Sequence, residues 1–155
     1  MTEKQIDYSM APQAHPSDLY EVSKTALTRD AIKNSQDSIM ELVLVPEWGG
    51  TLHVKSLNGA QRDAFEGSLV HTNGKGKRSV SYLDIRAKLV AKTACDKDGN
   101  LLFTDNDVQW LTLKSAAALQ RVFEVAQRLS GITEDDVKEM ADDLKNDQPE
   151  GLLSV

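Results

Sequence analysis

Four residues with oxygen side chains, Asp96, Asp98, Asn100 and Asp107, fall at positions 1, 3, 5 and 12 of a calcium-binding loop. Such a loop needs glycine at position 6 to turn around the ion and a bidentate glutamate at position 12. Here position 6 is Leu101, the glycine comes two places early as Gly99, and position 12 is Asp107. An Asp98-Gly99 turn followed by a helix cap at Thr104 accounts for the same residues without an ion. Gly74-Lys75-Gly76-Lys77 has the composition of a phosphate loop but not its G-x-x-x-x-G-K-[ST] spacing. His15, His53 and His71 are scattered without ligand spacing. Cys95 is the only cysteine, so it has no disulfide partner within the chain, and it reads as a small buried apolar residue. No catalytic residue, cofactor site or metal site is expected, and the chain does not read as an enzyme.

The elements that must position any working surface are those of one domain. At 155 residues, with 40 % hydrophobic and 27 % charged residues, the chain has enough apolar sequence for a real core. Aromatics are 5 %, so Leu, Val, Ile and Ala must build that core. The net charge of −6 is unevenly placed: between Glu134 and Glu150 eight acids face two lysines, and the rest of the chain sums to zero. Clustered Lys and Arg are what bind phosphate backbones, and the only basic cluster is Lys75, Lys77 and Arg78, so nucleic acid is not an expected partner. No segment approaches the roughly 20 apolar residues of a membrane span, and the N-terminal MTEKQIDYSM lacks the apolar run of a signal peptide. A cytoplasmic location is the expectation.

Residues 1–23 are polar, carry Pro12 and Pro16, and read as a disordered arm. A weak helical pattern follows, with Leu27, Ala31 and Ile32 on one face and Thr28 as a candidate N-cap. Ile39–Val45 reads as a strand, Pro46 ends its ladder, Gly49-Gly50 suits a tight turn, and Thr51–Lys55 alternates as a second strand. Asn58 stands before a helix carrying Ala60, Ala64, Phe65 and Leu69. His71–Ser79 reads as a flexible loop, and a helix is expected over Val80–Thr93 with Leu83, Ala87, Val90 and Ala94 as its stripe, widened by Tyr82, Ile85 and Leu89. Leu101-Leu102-Phe103 is expected to plug into the core, and Thr104 with Asp107 to cap a short helix. The strongest helix covers Ser115–Ser130 and stops at Gly131. Thr133 caps a last helix with Val137, Met140, Ala141 and Leu144 on one face. Trp48 and Trp110 read first as structural anchors, with binding hot spots as the alternative. The expected fold is α+β and mostly helical: one N-terminal β-hairpin packed on about five helices. A single domain over 24–145 is followed by a flexible tail over 146–155.

Three segments together resemble the tail assembly chaperones of long-tailed bacteriophages. They are VPEWGGTLHVKSLNGAQRDAFE (Val45–Glu66), DIRAKLVAKTACDKDGNLLFTDNDV (Asp84–Val108) and KSAAALQRVFEVAQRLSGIT (Lys114–Thr133). The V-x-E-W-G hairpin followed by L-x-G-x-x-R-D-x-F is the most specific part. The resemblance implies a non-catalytic protein that binds the long, helical tape-measure protein and keeps it soluble while the tail tube polymerises. Such a protein works in the host cytoplasm and is absent from the finished virion. It further implies a longer frameshift product that recruits the major tail protein, for which the tail after Asn146 suits as a fusion point. Self-association would let several copies coat one long client. The partner surface expected on this basis joins Trp110, Leu111 and Leu113 to the last helix's Val137, Met140 and Leu144, by helix-in-groove packing. The competing readings are a structural tail-completion or connector subunit and a small acidic adaptor domain.

Overall fold

The computed structural model describes residues 26–136 together with Lys138, Glu139 and Asp142; the expected arm and tail lie outside them. The chain divides into two units, Met1–Asp37 and Ser38–Val155. Among the described residues of the first is a short helix, α1 (Arg29–Lys33), started by Thr28, whose hydroxyl accepts from the Ala31 N–H at 3.1 Å. Its Leu27 and Ile32 are exposed.

The second unit is mixed α/β. Strand β1 (Met40–Val45) and β2 (Gly50–Lys55) pair antiparallel with Val43 opposite Leu52. Pro46–Trp48 forms a 3-10 turn between them, closed by Gly49 at φ 75, a backbone conformation that favours glycine. A third strand, β5 (Ala94–Cys95), adds to β2, giving the order β1-β2-β5. The hairpin lies on a 15-residue helix, α5 (Ala116–Ser130), and two ion pairs clamp it there. Arg121 reaches Glu47 at 3.0 Å and Arg128 reaches Glu41 at 2.8 Å. Between strand face and helix run Val43, Val45, Val54, Val122, Phe123 and Ala126, the centre of the main core. Trp48 packs against that core, as the anchor reading expected.

Helix α2 (Gly59–Ser68) begins with a reciprocal capping box: the Asn58 side chain accepts from Gln61 N–H and the Gln61 side chain accepts from Asn58 N–H, both at 2.9 Å. Two short strands, β3 (Val70–Thr72) and β4 (Arg78–Val80), follow as a separate hairpin. Here the flexible-loop expectation for His71–Ser79 is corrected. The Asn73 side chain accepts from the N–H groups of Lys75 and Lys77, both at 3.0 Å, and ties the turn together. Strands of three mostly polar residues carry no apolar alternation by which sequence could reveal them.

Helix α3 (Ile85–Thr93) starts five residues later than expected, because Val80 ends β4 and Asp84 sits at φ 63. That left-handed geometry breaks the path into a helix, and aspartate tolerates it better than most residues. Tyr82 and Leu83, assigned to the helical stripe, are therefore exposed. From Ile85 onward α3 is buried on most of its circumference, packed against α5 and a one-turn helix, α4 (Val108–Leu111). Ala94 leaves that stripe to open β5. Leu101 and Leu102 are also not core: they are 45 % and 48 % exposed, while Phe103 packs inward. Leu101 bridges Cys95 across the Asp96–Asn100 turn, which spends the segment on backbone pairing instead of burial.

Candidate functional site

The start of α3 and the junction between α4 and α5 face each other across an open cleft of about 590 Å³. Its walls include Tyr82, Asp84 and Arg86 on one side and Thr112, Lys114 and Gln120 on the other, over a floor containing Ile85 and Leu119. Two leucines belong to the same stretches of chain: Leu83 between Tyr82 and Asp84, 74 % exposed, and Leu113 between Thr112 and Lys114, 84 % exposed. Arg86 donates to Gln120 at 2.6 Å and lies over the Phe123 ring at 5.7 Å, so its guanidinium is held along the wall. With Arg86 and Lys114 against Asp84, the lining carries one net positive charge. An apolar floor and a weakly basic lining are suited to an amphipathic peptide surface.

None of the expected partner-binding residues lines this cleft: Leu113 lies in sequence between the lining residues Thr112 and Lys114, and Trp110 meets the cleft through the Lys114 ammonium. Trp110 is 43 % exposed, yet it is held in place. Its indole N–H donates to Asp107 at 2.9 Å, its ring meets Phe103 edge-on at 5.8 Å, and the Lys114 ammonium lies 5.8 Å from its centre. Asp107 is also the cap of this turn, accepting from the Thr104 N–H at 2.7 Å. Leu111 does not belong to the surface. It is 1 % exposed and packs with Ala87, Ala91, Phe103 and Val108, because α4 is a single turn and its inward position must seal that satellite core. Val137, Met140 and Leu144 lie outside the residues whose side chains are described.

The approach to the last helix is nonetheless defined. Gly131 ends α5 at φ 64, and Thr133 and Asp136 cap the next helical turn: the Thr133 N–H donates to Asp136 at 2.7 Å, and the Asp136 N–H to the Thr133 hydroxyl at 3.1 Å. Arg62 of α2 joins these pieces, donating to the Gly131 carbonyl at 3.1 Å, to Glu66 at 2.8 Å, and lying 3.4 Å from Asp136. Sequence could place the caps but not this role of Arg62, whose partners Gly131 and Asp136 lie about 70 residues along the chain.

The other candidates resolve into local structure. Asp96 accepts from the Asp98 and Asn100 N–H groups at 2.8 and 3.0 Å, a turn closed on itself, while Asp107 faces Thr104 and Trp110. Among the described residues no group of three or more His, Cys, Asp or Glu is placed to hold a metal ion. Burial pushes the Cys95 thiol up, away from the reactive thiolate. No helix among the described residues is long and apolar enough to cross a membrane. Sequence reading missed Tyr82 and Leu83, and also Met40, Leu42 and Leu44, which project from the sheet face opposite the core. The alternation through Glu41 carried a signal for that row, but both faces of β1 are apolar, so pattern alone could not say which one is buried.

Three turn carboxyls titrate below the usual aspartate range. Asp136 is lowered first by the Thr133 backbone N–H, Asp107 by the Thr104 backbone N–H, and Asp96 by the Asn100 backbone N–H. A folded pKa below the unfolded one stabilises fully above the unfolded value, about 4, and is lost as pH falls through the folded values. The melting temperature should therefore be level from about pH 7 to 5 and fall progressively below about pH 4. Asp136→Asn should lower it at neutral pH and make the acid fall shallower. Thermal melts across that range check this; a melting temperature unchanged into strong acid contradicts it.

Comparison with known proteins adds a family. The family model described as phage tail assembly chaperone matches residues 27–143. Among solved structures, the bacteriophage HK97 tail assembly chaperone aligns with a TM-score of 0.45 at 15 % identity, covering 76 % of this chain and 98 % of that one. No curated protein matches it. The family match runs through the hairpin, the cleft and the Trp110 segment, and this chain belongs to the phage tail assembly chaperone family.

Proposed function

We propose that this chain binds the tape-measure protein of its tail and keeps that long, apolar, helical client soluble while the tail tube polymerises. It acts in the host cytoplasm, without catalysis, and leaves before the virion is complete. Membership of the tail assembly chaperone family over residues 27–143 carries the reading. The cleft supports it by its apolar floor of Ile85 and Leu119, and the highly exposed Leu83 and Leu113, each next in sequence to lining residues, add apolar surface. A client helix laid there would cover both leucines, with the last helix's Val137, Met140 and Leu144 extending the contact. Several copies would associate along one client, and a longer frameshift product would bring in the major tail protein.

The test is co-expression with the tape-measure protein. It should be insoluble alone, and soluble and co-purified with this chain. A client that stays insoluble, together with this chain in purified virions, would replace the reading with that of a structural tail subunit. For the surface, Leu83→Asp combined with Leu113→Asp should weaken client capture at least tenfold. The thermal melt of the free chain should stay within a few degrees of the parent. Undiminished capture would move the client off this cleft.

A further inference from the structure

The cleft between the start of α3 and the start of α5 sets two cations beside an apolar floor. Arg86 is held by Gln120 and Phe123, and the Lys114 ammonium lies over Trp110; no carboxylate among the described residues comes within ion-pair distance of either. The floor contains Ile85 and Leu119. Such a cleft suits a short segment that carries carboxylates next to bulky apolar side chains. Residues 147–155 of this chain, DQPEGLLSV, have that pattern, with Asp147 and Glu150 leading into Leu152 and Leu153. They contain two acids and no basic residue, against a lining with one net positive charge. Pro149 and Gly151 disfavour helix through this stretch, which suits it to an extended path along a groove.

The chain is also long enough to bring the segment there. The cleft lies at the first turns of α5, lined by Ala116, Leu119 and Gln120, whereas Asp136 stands at the other end of that helix, joined through Arg62 to the Gly131 carbonyl. The 15 residues of α5 make it about 22 Å long. Leu152 is 16 residues beyond Asp136, a path of about 24 Å as helix and up to roughly 50 Å extended. We propose that residues 147–155 fold back into this cleft of their own chain, with Leu152 and Leu153 on Ile85 and Leu119 and Glu150 toward Arg86 and Lys114. The segment then holds the client's place until the client displaces it, an inference that rests on the reading of this cleft as the client surface. A tether of this length keeps the segment at an effective concentration of about 1 mM. A contact with a free dissociation constant of about 0.1 mM then leaves roughly one cleft in ten open and weakens client binding about tenfold.

Backbone hydrogen exchange of the full-length chain, read by mass spectrometry without client, tests it. In Leu152→Asp combined with Leu153→Asp, amides over residues 80–87 and 112–116 should exchange at least threefold faster than in the parent, with those of β1 and β2 unchanged. Should that variant not fold, Glu150→Lys, which reverses the charge facing Arg86 and Lys114, must give the same loss of protection. The parent's protection should hold over a hundredfold dilution, as a contact within one chain does. Protection that fades on dilution, or that survives the folded variant as it would if the N-terminal arm covered the cleft, overturns the proposal. Client capture is read separately and should rise about tenfold in the double variant. Protection lost without any gain in capture would keep the segment in the cleft and move the client elsewhere.

Discussion

Leu111→Ala should lower the unfolding free energy by about 2–5 kcal/mol, whereas Leu113→Ala, two residues on, should change it by less than about 0.5 kcal/mol. The contrast comes from direction, not residue type. Leu111 is 1 % exposed and closes the satellite core made with Ala87 and Ala91 of α3, whereas Leu113 is 84 % exposed. Around Leu111 the neighbours are alanines on a helix that is itself buried, so they cannot collapse to fill the space its isobutyl group leaves. That puts the cost toward the upper part of the range. Urea titrations of the two variants check it, read as midpoint shifts at unchanged slope. Equal small shifts would mean that α4 is not seated as described. A client-binding loss in Leu111→Ala would report the loosened seating of Trp110 and not a lost contact, because Leu111 has no surface to offer.

The second large effect is expected at Phe65, where truncation to alanine should cost about 3–5 kcal/mol. Phe65 is the single buried residue of α2 and is 1 % exposed. The rest of that helix holds on through polar contacts, namely the Asn58 capping box and the Arg62 interactions with Glu66, Gly131 and Asp136. Exposed or half-exposed pairs of that kind contribute little each. A domain of this size is stable by roughly 5–15 kcal/mol, so the loss of one ring takes a large part of the total. Hydrogen exchange should show α2 amides opening first, and those of the Thr133–Asp136 turn should follow, since Arg62 connects the two. Uniform exchange across the domain would separate α2 from the last helix and remove Arg62 as their link.

Much of this protein was legible one segment at a time. The caps at Thr28, Asn58, Thr104 and Thr133, the stop at Gly131, the hairpin around Gly49 and the register-bearing alternation of β2 all depend on bonds spanning four residues or fewer, or on a period of two. Such features are written in adjacent residues and survive without knowledge of the rest of the chain. The family resemblance was legible for the same reason, since it rests on contiguous phrases such as VPEWGG and LNGAQRD. The calcium pattern at Asp96–Asp107 lacked its glycine, and the Asp98-Gly99 turn and Thr104 cap read from the same residues are both present.

The tertiary structure decided what faces outward. Leu83 and Leu111 are the same residue type in helix-compatible patterns, and one is on the surface because Asp84 turns the chain at positive φ before α3 can begin. Both faces of β1 are apolar, and only the arrival of α5 beneath Glu41, Val43 and Val45 leaves Met40, Leu42 and Leu44 exposed. Composition and periodicity determined that a core could form and which of the longer segments are helix or strand, and the contiguous motif phrases carried the family resemblance. They could not determine which apolar residues stay uncovered, because burial depends on which distant element packs on each face, and a local pattern holds no record of that choice.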